Sequence, residues 1–181
     1  MRRFPLVLSL ALAAFLAPSL HAQNPDTPLA AVPACPSTAT LDLLVTAIDA
    51  AITGPADKDR TCFRQLFLPD ARLIPTRVGA DGTATTRILT VDDWINAVRK
   101  RGSDVVSEHQ LKFQTESWAH IAHLWSTYET RIADATNPEG KVMDRGINSI
   151  QAVYDGHRWQ IIEILWQAQT PADPVPAKYL P

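Results

Sequence analysis

RGINSIQAVYDGHRWQIIEILWQ, from Arg145 to Gln167, alternates apolar and polar residues on both sides of Asp155-Gly156. Asp and Gly tolerate the positive φ that a type I′ turn requires, and β-forming residues flank the pair. The stretch therefore predicts a two-residue hairpin. Upstream, AHIAHLWSTYETR (Ala119 to Arg131) keeps the same period and returns through the polar, Gly- and Pro-containing segment from Ala133 to Lys141. The reading is three consecutive antiparallel strands.

Register turns these strands into a candidate site. With Asp155-Gly156 as the loop, Tyr154 faces His157, Ala152 faces Trp159, Ile150 faces Ile161 and Asn148 faces Glu163. Matching small with small and apolar with apolar sets Ala122 beside Ala152, Leu124 beside Ile150 and Ser126 beside Asn148. Side chains alternate between the faces of a sheet. One face then collects Ala122, Leu124, Ile150, Ala152, Ile161 and Leu165 around a polar group of Ser126, Asn148 and Glu163. The Tyr128 hydroxyl lies nearby, and His120 ends the row. The other face carries Trp125, Ile147, Ile162, Ile164 and Trp166 among Gln and Arg residues, enough apolar area for a sheet-to-sheet homodimer. A bulge in any of these strands would transfer the residues beyond it to the opposite face.

Glu163, surrounded by Ile161, Leu165, Leu124 and Ile150, is expected to have its pKa raised by desolvation, which suits a general acid or base. Tyr128 is its candidate catalytic partner, and Asn148 and Ser126 would orient the carboxylate or polarise a carbonyl. Trp94, Phe113 and His120 join Ser126 and Asn148 as candidate binding residues. The competing reading is that Glu163, Asn148 and Ser126 merely satisfy one another's hydrogen bonds, and that the tryptophans are packing.

Met1-Arg2-Arg3, the apolar run Leu6 to Leu16 and Leu20-His21-Ala22 read as a secretory signal peptide over residues 1–22. Residues 23–37, rich in Pro and Ala, form a flexible leader, residues 38–169 one domain and residues 170–181 a Pro-rich tail that wraps the surface or stays disordered. The localisation is periplasmic or secreted. In an oxidising compartment Cys35 and Cys62 are expected to form a disulfide. Val32-Pro33-Ala34-Cys35 only faintly resembles a lipoprotein cleavage box, and neither cysteine has a convincing His partner nearby. The near-neutral balance of 17 basic and 19 acidic residues gives no reason to expect nucleic acid.

Within the domain, Leu41, Leu44, Val45, Ile48 and Ile52 recur at helical spacing behind Ser37 or Thr38 as cap. A second helix is predicted over about 56–68, ending at Pro69-Asp70, and a short strand over 71–76 whose Pro75 argues for an edge. Thr90 with Asp93 opens a third helix that buries Trp94, Ile95 and Val98. Val105 to Glu116 alternates again, with His109, Leu111 and Phe113 on one side. His120 and His123 point to opposite faces, so no metal site is expected. There is no Gly-x-Ser-x-Gly elbow, Walker loop or dinucleotide fingerprint, and no cofactor is expected. Helices in the N-terminal half followed by long antiparallel strands give an α+β domain.

Leu66-Phe67-x-Pro69-Asp70-Ala71, Thr90-Val91-Asp92-Asp93-Trp94 and His157-Arg158-Trp159-Gln160-Ile161-Ile162, in this order of elements, resemble the nuclear transport factor 2-like (NTF2-like) superfamily. That group includes ketosteroid isomerase, scytalone dehydratase and the SnoaL-like polyketide cyclases. Ile121 to Glu129 and Arg145 to Gln151 look most like its exported bacterial members. The resemblance spans Thr38 to Gln167 and implies a cone: three helices across a strongly curved antiparallel sheet, enclosing a pocket, often in a homodimer. Neither the isomerase's nor the dehydratase's catalytic set matches residue by residue. The implied function is binding of a small, largely apolar molecule, with cofactor-free isomerase, dehydratase or cyclase chemistry left open. The alternative is a non-catalytic interaction module of the cell envelope.

Overall fold

The computed structural model describes residues 34–102, 104–133 and 136–181. The segment read as a signal peptide, residues 1–22, and most of the expected leader fall outside these residues. The elements run α1 (Leu41–Ile52), β1 (Gly54–Pro55), α2 (Thr61–Gln65), β2 (Phe67–Val78), β3 (Ala84–Thr86), α3 (Val91–Arg99), β4 (Val105–Trp118), β5 (Ile121–Ala133), β6 (Lys141–Tyr154) and β7 (Trp159–Ala168), with a 3-10 turn over Ala177–Tyr179. Among the described residues, seven strands form one curved sheet in the order β1-β4-β5-β6-β7-β2-β3. All pairs are antiparallel except β2 with β7, which is parallel, so the sheet is mixed.

α1 lies across the inner face and buries Leu44, Val45, Ala47, Ile48 and Ala51 against Leu124, Ile150 and Ile161. Its cap is Thr40, whose side chain accepts from Leu43 N, rather than Ser37 or Thr38. Thr38 instead ties the chain to the sheet: its backbone oxygen accepts from Trp159 N, and its hydroxyl donates to Trp159 O. No basic residue sits in the last turn of α1. Two cations reach it from the following loop. Arg60, 1% exposed, donates to the carbonyls of Ala51, Ile52 and Pro55 at 2.6, 2.8 and 3.1 Å, and Lys58 donates to Ala50 O and Thr53 O. They satisfy and neutralise the negative end of the helix dipole.

The second helix is a single turn, not the span over 56–68, because Phe67 and Leu68 enter β2. Phe67 pairs with Ile161, which places long apolar side chains on the sheet that a longer α2 would have taken away from it. Pro75 lies inside β2 and not at a sheet edge: it pairs with Trp166 of β7, and its carbonyl accepts from Arg87 N on the other side. α3 opens with the expected capping box of Thr90 and Asp93. It sets Trp94 on Phe63, ring centroids 4.3 Å apart, and Phe63 on Phe67 at 4.8 Å. Cys35 and Cys62 form a disulfide that ties the start of the domain to α2.

Between β5 and β6 the register is the expected one: Ala122 opposite Ala152, Leu124 opposite Ile150, Ser126 opposite Asn148. The next hairpin differs twice. Asp155 pairs with Arg158, leaving Gly156 (φ +101°) and His157 as the turn, so Tyr154 faces Trp159. That shift of two residues leaves the faces unchanged. A bulge between Ile161 and Glu163 then transfers everything beyond it. Ile164 and Trp166, expected outside, point inward, while Glu163 and Leu165 face out.

Residues 170–181 wrap the outer face of the sheet. Lys112 Nζ donates to Leu180 O, Thr127 Oγ1 donates to Tyr179 O, and the Tyr179 ring lies 6.0 Å from that of Trp125. Part of the surface expected to mediate dimer formation is thus covered by the chain's own tail. Ile162 and Leu165 remain exposed there. Among the described residues, no helix is long and apolar enough to cross a membrane.

Candidate functional site

The curved sheet, α1 and α3 enclose a cavity of about 470 Å³, a volume suited to a small organic ligand. Its wall is apolar on the helix side, with Ile48, Phe63 and Trp94, and at β2 and β7, with Leu73, Ile164 and Trp166. Its polar groups come from β4, β5 and β6. These are arranged in cross-strand rows, since directly paired residues of an antiparallel sheet share a face.

One row is Glu108, Thr130 and Asp144, and the next is Gln110, Tyr128 and Gly146. A third is Phe113, Ser126, Asn148 and Trp166. A bulge at Leu111 makes this stacking possible: it puts Glu108 and Gln110 on the same face as Phe113, although strict alternation separates them. Gly146 is required by close approach. A Cβ there would lie 2.1 Å from Gln167 O and 2.8 Å from the Tyr128 hydroxyl, which leans over it.

Of the carboxylates lining the site, Glu108 is the one that neighbouring side chains hydrogen-bond. Thr130 Oγ1 donates to its Oε2 at 3.1 Å and Gln110 Nε2 to its Oε1 at 3.4 Å. The Gln110 carbonyl oxygen in turn accepts from Ser126 Oγ at 2.6 Å and Asn148 Nδ2 at 3.2 Å. The predicted polar group of Ser126 and Asn148 therefore exists, but the acid it serves comes from β4, not β7. Burial pushes the Glu108 carboxyl up to about 7, and the nearby charge of Asp49 adds to this against the two hydrogen bonds and Arg101. Protein surrounds the carboxylate, yet Glu108 keeps accessible surface because it faces the cavity.

Asp49, on α1, is also raised by burial, although both its oxygens accept from Gln110 N at 3.1 Å. Asp144 is raised by burial as well. Tyr128, 4% exposed, has its phenol pushed far up, by burial first and then by the charges of Asp144 and Glu108. It is a neutral O–H at every working pH. Among the described residues its hydroxyl has no hydrogen-bond partner, and it lines the cavity. Arg101, Asp104 and Met143 stand at the exposed rim.

Of the sequence candidates, the structure brings Tyr128, Asn148 and Trp94 to the cavity wall. Ser126, fully buried, acts one shell out through Gln110. Phe113 packs into the hydrophobic core rather than lining the cavity. His120 sits exposed at the β4–β5 turn, its ring nitrogen 3.0 Å from Tyr154 O, away from the cavity. Glu163 is on the outer face, where it pairs with Arg72 at 2.6 Å. The bulge in β7 is the reason, and it removes Glu163 from the acid–base role. Sequence reading missed Glu108, Gln110, Thr130 and Asp144. The available signal was their cross-strand match: Ser126, Tyr128 and Thr130 alternate along β5 and need polar neighbours on β4.

Among the described residues, no three His, Cys, Asp or Glu side chains come together closely enough to hold a metal ion. No protein-family model matches the sequence, and no curated protein does. Solved structures do. A protein of unknown function from Mycobacterium tuberculosis superposes with a TM-score of 0.56 at 14% identity, covering 76% of this chain and 75% of its own. A proposed beta subunit of an aromatic-ring-hydroxylating dioxygenase from Novosphingobium aromaticivorans gives 0.55 at 13%, covering 74% and 89%. An NTF2-like protein of unknown function from Pseudomonas putida gives 0.53 at 10%, covering 78% and 94%. At such identities the likeness establishes the fold alone.

Proposed function

From the NTF2-like cone fold we infer that this chain is an exported protein that binds a small, largely apolar molecule in its cone and is equipped for acid–base chemistry on it. One observation carries the reading: a cavity of about 470 Å³ with apolar walls, into which Glu108 and Tyr128 both open. A carboxyl near pH 7 is half ionised at neutrality, where a general base combines availability with driving force. Thr130 and Gln110 hold it in place. The neutral Tyr128 hydroxyl can donate to an oxygen that gains charge as Glu108 removes a proton, the arrangement that isomerases, dehydratases and cyclases of this kind need. No cofactor is invoked.

The disulfide is compatible with an oxidising compartment, and it supports export. The proposal extends to pairing of two copies through the outer sheet face, where Ile162 and Leu165 stay exposed. Native mass spectrometry of protein purified from an exported preparation, before and after mild denaturation, tests all three. The expected result is a dimer carrying a bound small molecule that leaves on denaturation, with Cys35 and Cys62 oxidised and the signal peptide gone. A ligand identified in this way then provides the substrate on which Glu108→Gln should abolish turnover. Unchanged turnover would remove Glu108 as the base.

A further inference from the structure

The charges inside the cavity are unbalanced. Of the lining residues, Glu108, Asp144 and Asp104 are acids, and Arg101 is the only cation. Arg101 and Asp104 are exposed at the rim, three residues apart, where water and each other's field screen them. Deeper in, Glu108 and Asp144 flank Thr130 in one row across three adjacent strands, which puts their backbones about 10 Å apart. Among the described residues, neither has an ion-pair partner. The groups around Glu108 are Asp49 of α1, Gln110 of its own strand, Thr130 of β5, Asp144 of the same cross-strand row and, from the rim, Arg101, the one cation among them, which makes no ion pair with it.

Two unpaired carboxylates in a half-apolar cavity are costly to ionise, and a ligand that supplies the counter-charge removes that cost. They are too dispersed, with no third ligand at hand, to chelate a metal ion. An organic cation meets the same demand with one charged group and an apolar body. The remaining walls fit it. Trp94, Trp166 and Tyr128 contribute aromatic rings to the lining, and such rings attract ammonium groups through their quadrupole. The Tyr128 hydroxyl, unpartnered in a side chain only 4% exposed, can accept from an N–H⁺.

Resting on the pocket reading above, we propose that the ligand is an amphiphilic amine: a cationic nitrogen seated between Glu108 and Asp144, with a ring-bearing apolar body against Trp94 and Trp166. The test is isothermal titration calorimetry at about pH 8 with three probes on one scaffold, 2-naphthylmethylamine, 2-naphthylmethanol and 2-naphthoate. The amine should bind at least about tenfold more tightly than the alcohol, and the carboxylate more weakly than both. In Glu108→Gln and Asp144→Asn the amine-to-alcohol ratio should fall below about threefold. An alcohol that binds within tenfold of the amine, or a ratio insensitive to both substitutions, overturns the inference while leaving the apolar pocket standing. Failure of all three probes to bind overturns the pocket reading, and the inference with it.

Discussion

Replacing Glu108 by Gln should stabilise the protein, and by an amount that grows with pH. The carboxyl is held at about 7 in the folded protein against 4.5 for a free side chain. The folded state thus binds this proton more tightly than the unfolded chain does. Ionisation costs the folded state stability, starting as pH rises past 4.5 and levelling off above 7. At full strength the penalty is about 3 kcal/mol above pH 8 and under about 1 kcal/mol at pH 5. Water in the cavity screens part of it. Glu108→Gln keeps the shape and the hydrogen bond to Thr130 and removes the titration, so its advantage over the parent should grow by about 1–2.5 kcal/mol between pH 5 and pH 8. Urea denaturation of both proteins at the two pH values, with the disulfide intact, measures this directly. Asp49 and Asp144 titrate in both proteins and largely cancel in the comparison. An advantage that does not change with pH, or shrinks as pH rises, would refute the placement of Glu108 in a desolvated site.

Three further outcomes follow from local geometry. Gly146→Ala should cost about 1–3 kcal/mol by overpacking, because its methyl group would meet Gln167 O and the Tyr128 hydroxyl; thermal melting reads the loss. Replacing both Cys35 and Cys62 by Ser frees a loop spanning a sequence separation of 27, and the chain-entropy relation puts the cost at about 3.5 kcal/mol. Urea midpoints with and without reductant should agree with it. Arg60→Met leaves the carbonyls of Ala51 and Ile52 without the Arg60 donor, while Pro55 O keeps Lys58 N, and should lower stability by about 2–3 kcal/mol. A near-neutral result would show that the buried guanidinium contributes nothing as a helix cap.

The alternation around Asp155-Gly156, the apolar stripe of α1 and the Thr90–Asp93 box sufficed for an α+β domain, because each is a local pattern tied to a local geometry. The β5–β6 register was legible for the same reason: Ala122 with Ala152 and Leu124 with Ile150 is the pairing that buries the most apolar surface without a clash. Those same patterns placed Tyr128, Asn148 and Trp94 in the site. The acid was not legible. Bulges at Leu111 and Ile162 decide whether Glu108 or Glu163 faces the cavity, and a bulge leaves almost no local trace. It forms where a long strand must bend to close over α1 and α3, so its position follows from the curvature of the whole sheet. Inserting one residue reverses every side chain beyond it. Composition and period therefore determined which residues make the helices and the sheet, and tertiary curvature alone decided which carboxylate stands inside the cavity.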